Sequence, residues 1–155
     1  MKAHWLALAV PFVVAGGAYG AYGRGWLELD REKHPAVEAF EVFYWKLQKH
    51  DLAAAGELVL PGSDAERTLA VERDAPTAPD AAIARGFALQ LSHEADGELA
   101  GRPVIRLSGQ ATVTVDPAGY VSAFGEPVPH EVEARLVEDG GSWRVAAFRD
   151  TVLTR

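Results

Sequence analysis

Hydrophobic and polar positions follow three different patterns along this chain. From Ala3 to Gly23 there is no alternation, because the run contains no Asp, Glu, Lys or Arg. It is long enough to cross a bilayer as a helix: Trp5 to Trp26 would span roughly 31 Å, against a hydrocarbon core of ~30 Å. Trp5 at one end, and Tyr19, Tyr22 and Trp26 at the other, occupy the places of interfacial aromatics. Residues 1–25 therefore read as a transmembrane anchor. The competing reading is a cleaved secretory signal, with Lys2 as its charged start, Trp5 to Val14 as its apolar stretch and Ala18-Tyr19-Gly20 as a small-x-small cleavage site. Apolar character that persists to Gly23 favours retention.

The second pattern has helical period. After a charged linker (26–34), Pro35 suits the first position of a helix, where its missing N–H costs nothing. Val37, Phe40, Tyr44 and Leu47 then form one apolar stripe, broadened by Phe43. Asp51 reads as the N-cap of a second helix, Leu52 to Leu60, stopped by Pro61-Gly62. Ser63 and Glu66 have capping-box spacing for a third helix reaching about Val71. After the loop APTAPD, Asp80 caps one more helical turn through Arg85, ended by Gly86.

The third pattern is alternation. Phe87, Leu89 and Leu91 predict a half-buried strand, with Asp96-Gly97 as its turn. Residues 103–115 predict a long second strand, broken by Asp116-Pro117-Ala118-Gly119. Residues 128–138 and 143–152 predict a final hairpin turning at Asp139-Gly140-Gly141, with Trp143, Val145 and Ala147 on one face. Helices followed by antiparallel strands make an α+β domain, residues 35–155, with helices packed on one face of a curved sheet.

Charge and composition narrow the function classes. The chain carries 15 Lys and Arg against 22 Asp and Glu, a net charge of −7. Such a surface repels phosphate backbones, so nucleic acid is not an expected partner. There is no cysteine, which removes disulfides, thiolate metal sites and cysteine nucleophiles. Abundant Ala, and Arg in excess of Lys, are the imprint of a GC-rich bacterial genome. The Lys/Arg count around the anchor keeps the domain cytoplasmic, whereas the short N-terminus before a signal-like run argues for export. The expectation is a single-pass protein with an exocytoplasmic domain.

The stretch FYWKLQKHDLAAAGELV and the hairpin Glu138-Asp139-Gly140-Gly141-Ser142-Trp143-Arg144-Val145 resemble the NTF2-like (cystatin-like α+β cone) superfamily. There, a long helix ends in an Asp that caps a second helix, and the last hairpin often reads Asp/Glu-Gly-x-Trp-x-Val. The resemblance covers roughly residues 35–152 and rests on structural motifs. It implies a cone between the first helix and the sheet, with Phe40, Tyr44 and Trp143 as candidate pocket residues. Family members include isomerases, dehydratases, ligand carriers and anchored accessory subunits.

Candidate chemistry is sparse. Tyr44 could offer a phenol and Asp150 a carboxylate to isomerase-like acid–base work; the plainer reading has Tyr44 as a core aromatic with its hydroxyl at the rim and Asp150 as a solvated strand end. His93 and His130 each adjoin a carboxylate, but neighbouring strand residues point to opposite faces, so both read as surface histidines and no metal is expected. Glu131, Glu133, Arg135, Arg144 and Arg149 read as an exposed ion-pair ladder. Gly16 and Gly20 have the spacing that lets a second membrane helix approach. The expectation is a non-catalytic accessory or scaffold subunit of a larger membrane complex, without cofactor. The alternatives are a periplasmic or secreted carrier of a small apolar ligand and, after it, an isomerase- or dehydratase-like enzyme.

Overall fold

The computed structural model describes residues 33–75, 83–116 and 125–151. The expected anchor, with Gly16 and Gly20, lies outside them, and among the described residues no helix is long and apolar enough to cross a membrane. From His34 onward the described residues form one compact α+β unit.

Helix α1 (Pro35–Gln48) starts where the sequence places it, and its N-cap is His34, whose Nδ1 accepts the Ala36 N–H at 3.1 Å. It buries Ala36, Phe40, Phe43, Tyr44 and Leu47, a stripe at three- and four-residue spacing. Val37 packs at the margin of that stripe. Helix α2 (Leu52–Gly56) is capped by Asp51, which accepts from the Ala54 N–H at 3.2 Å. It ends at Gly56, earlier than the expected Leu60. Glycine is a poor helix interior residue, and Leu58 to Leu60 are drawn off to the sheet. Helix α3 (Asp64–Asp74) is capped by Ser63, while the Glu66 carboxylate reaches back to the Gly62 N–H at 2.7 Å. It runs three residues past the expected Val71.

The strands β1 (Ile83–Leu99), β2 (Arg102–Asp116), β3 (Glu126–Asp139) and β4 (Ser142–Asp150) pair as an antiparallel meander in the order β1-β2-β3-β4. The predicted final hairpin is present, with Glu138 opposite Trp143 and Asp139 opposite Ser142. Two expectations fail in β1. Arg85 and Gly86 belong to a strand instead of a helical turn, at a register shift between Ala84 and Gly86. Asp96-Gly97 is a second register shift, and the chain turns later, at Ala100-Gly101, both with positive φ (52° and 76°). A third shift, at Arg135/Leu136, leaves Ala146 as an extra residue in β4. Trp143 and Val145 therefore share the inward face, whereas Ala147 turns outward opposite Arg135 and Phe148 takes the inward place.

Inward residues of all four strands meet α1. Leu107, Val113, Val132, Leu136 and Val145 are fully buried with Phe40 and Phe43, and Phe43 meets Phe148 edge-on at 5.0 Å. Each such large apolar side chain contributes about 1.5–3 kcal/mol on burial. At the β4 edge, the Leu60 N–H donates to the Val145 carbonyl at 2.8 Å and the Val145 N–H donates to Leu58 at 3.0 Å. The segment after α2 thus closes that edge of the sheet.

Candidate functional site

The inward face brings together three polar side chains that the sequence leaves apart. Tyr44 stands on the fourth buried position of the α1 stripe, His130 near the start of β3, and Asp150 at the end of β4. Val132 lies opposite Asp150 in the β3–β4 register, so His130 and Asp150 both point inward, next to the helix. The Tyr44 hydroxyl donates to Asp150 Oδ2 at 2.8 Å. His130 Nδ1 lies 2.8 Å from Oδ1 and 3.0 Å from Oδ2 of the same carboxylate, and 3.3 Å from the Tyr44 hydroxyl. Gln48, one turn further along α1, adds a long contact from Nε2 to Oδ2 at 3.5 Å.

The Tyr44 O–H donates to the Asp150 side chain, and a proton on His130 Nδ1 would make its contact to the same carboxyl group a hydrogen bond as well. Among the described residues the hydrogen-bond contacts of the imidazole use Nδ1. Among the described residues no buried side-chain nitrogen or oxygen lacks a partner. Burial first, and then the bond to Asp150 and its negative charge, push the Tyr44 pKa far above the ordinary phenol value. Tyr44 is thus a fixed donor, not a source of phenolate.

The cluster is closed. Tyr44 is 1 % exposed, Asp150 1 % and His130 5 %. These values overturn three sequence expectations: the Tyr44 hydroxyl is not at a rim, Asp150 is not a solvated strand end, and His130 is not a surface histidine. His130 was misread because Glu131 beside it is exposed. Alternation sends one of the pair outward and the other inward, and the period alone does not say which. Of the other pocket candidates, Phe40 is sealed in the core, and Trp143 is half-buried with an edge-on contact to His34 at 5.4 Å. His93, the other strand histidine, is exposed as expected and lies 4.9 Å from His34. Among the described residues no group of three metal-ligating side chains converges.

The outward face of the sheet carries the expected ionic residues in a different pairing. Arg135 crosses β2 to Asp96 at 2.7 Å, and Arg106 meets Glu94 at 3.5 Å. Arg144 leaves the ladder altogether, donating to the Glu57 carbonyl at 2.7 Å and lying 3.5 Å from Asp139. Among the described residues, surface grooves include two that the polar cluster does not line. One is lined by Arg106, Glu133, Arg135 and Arg149, the other by Glu41, Val42, Trp45 and Phe87.

Set against known proteins, the chain matches no protein-family model, no curated protein and no solved structure. Four antiparallel strands with helices packed against them define an α+β domain, a wider class than the NTF2-like cone.

Proposed function

We propose that this protein is a membrane-anchored, non-catalytic accessory subunit of a bacterial membrane complex, whose NTF2-like domain works through its surface. The observation that carries this reading is the closed interior. Phe40 and Phe43 are buried between α1 and the sheet, and Tyr44 and His130 both hydrogen-bond to the buried Asp150 carboxylate. A carrier's cone holds room for its ligand and an enzyme's acid or base meets its substrate; here the polar groups tie the first helix to the last strand. The apolar, charge-free run from Ala3 to Gly23 supplies the anchor. The expected partner is a larger integral membrane assembly, met by the anchor through Gly16 and Gly20 and by the domain on the exocytoplasmic side.

One observation favours a second reading. Asp150 meets His130 through Nδ1, so Nε2 is the ring nitrogen left for other chemistry, the arrangement of a general base. A pocket that opened there would make the domain a carrier or an isomerase-like enzyme.

The variant His130→Asn separates the two. Its amide N–H replaces the Nδ1 donor toward Asp150 while Nε2 is deleted. Full-length protein carrying this change, purified from native membranes in mild detergent, should bring down the same membrane proteins as the wild type. Loss of the biological role in a variant that folds and remains in the membrane would transfer the proposal to the second reading.

A further inference from the structure

Among the described residues, α1, α2 and α3 are capped by three different side chains, and one of these caps depends on a proton. Asp51 and Ser63 start α2 and α3 with oxygen acceptors, the residue types that ordinarily fill this position. Helix α1 starts on an imidazole. The Ala36 N–H donates to His34 Nδ1 at 3.1 Å, from a His34 backbone in the extended conformation of an N-cap. A ring nitrogen accepts only through its lone pair, so this cap exists in the neutral tautomer with its proton on Nε2. Protonation of Nδ1 leaves a donor aimed at an N–H. Oxygen caps keep their acceptors throughout the range in which imidazole ordinarily titrates.

The neighbours of the ring bear on the same proton. His93 of β1 lies 4.9 Å from the His34 ring and meets it at 34°, and Trp143 of β4 meets it edge-on at 5.4 Å. Charging both imidazoles sets like charges side by side, and a cation on His34 also faces the positive end of the α1 dipole. The carboxylates on the elements around it are Glu38, exposed in the first turn of α1, and Glu138 of β3, opposite Trp143 in the strand register. Lys33 precedes the ring, and Glu94, next to His93, is turned to Arg106 at 3.5 Å. We infer that His34 is a proton-controlled cap, which holds the first turn of α1 when neutral and releases it when charged. The inference goes beyond the accessory-subunit reading and does not depend on it. The acceptor sets the direction: the cap is present above the imidazole range and is lost as pH falls through it. The turn it controls opens the compact unit, with Ala36 fully buried and Val37 at the margin of the core. Phe40, Phe43 and Tyr44, further along, hold the rest of the helix on the sheet.

Hydrogen exchange of the full chain in detergent, read by mass spectrometry and scaled to the intrinsic rate at each pH, tests this directly. Between about pH 7.5 and about pH 5.5, protection of the first turn of α1 should fall about fivefold, the worth of an N-cap. The first turn of α3, capped by Ser63, should keep its protection. His34→Asn supplies an acceptor that does not titrate and should hold α1 equally at both pH values. His34→Ala should show the acid level of protection at both. Wild-type protection that does not change with pH would overturn the proposal. So would a fall that persists in His34→Asn, since another group would then be responsible for it.

Discussion

Tyr44 is the residue at which the chemistry of this domain is most constrained, and its proton is the simplest handle on it. The phenol pKa is raised in the folded state by burial, and by the bond to and charge of Asp150. An acid with a raised folded pKa stabilises the fold fully below its unfolded value, about 10 for tyrosine, and that contribution disappears as pH climbs above it. A spectrophotometric titration should therefore show one of the four tyrosines resisting ionisation until the domain unfolds. Tyr44→Phe should remove that lagging step and flatten the loss of stability above pH ~10. Asp150 is the costlier residue to lose, since it accepts from both Tyr44 and His130. Asp150→Ala leaves two buried donors without a partner and should cost about 2–4 kcal/mol in urea unfolding, against about 1–2 kcal/mol for Tyr44→Phe. The sequence marked Tyr44 and Asp150 as an acid–base pair to be weighed. It did not show that they touch, nor that His130 joins them, because contact between α1, β3 and β4 is set by tertiary packing over a separation of 106 residues.

Elements with strong local signals were legible, and those decided by neighbours were not. Pro35, Asp51 and Ser63 mark helix starts through their own chemistry, and Asp139-Gly140-Gly141 marks the last turn in the same way. The β1 region misled. Gly86 and Asp96-Gly97 look like breakers, yet the long pairing partner β2 carries the strand through both as register shifts. The end of α2 misled for a related reason: Leu58 to Leu60 run on from the helix up to Pro61-Gly62 but find backbone partners on β4. Gly109 shows how closely β1 and β2 approach, because a Cβ built there would lie 2.0 Å from the Gln90 carbonyl oxygen. Gly109→Ala should therefore lower the unfolding free energy by about 1–3 kcal/mol, as overpacking does, with hydrogen exchange rising first along β1. Gly97→Ala, with nothing within 4 Å of its Cβ, meets only the strain of its positive φ of 75° and should leave β1 exchange nearer to wild type.

For the whole molecule, the functional proposal joins two parts of unlike character, an apolar leader and an acidic α+β domain with a closed interior. In that proposal the leader decides where the domain acts, and the buried polar cluster turns attention to the surface. The general class, helices on one face of an antiparallel sheet, was legible because the period of the hydrophobic pattern within the domain changes from helical to alternating after Gly86. The state of the interior was not legible, since the same aromatic stripe on α1 would line an open cone or fill a closed one. The most direct test of the proposal is the intact mass of native protein recovered from membranes after an alkaline carbonate wash. The account predicts a chain that still carries residues 1–25 and stays with the membrane fraction. A soluble protein whose mature N-terminus maps near Ala21 would contradict it, showing a cleaved signal and a freely diffusing domain.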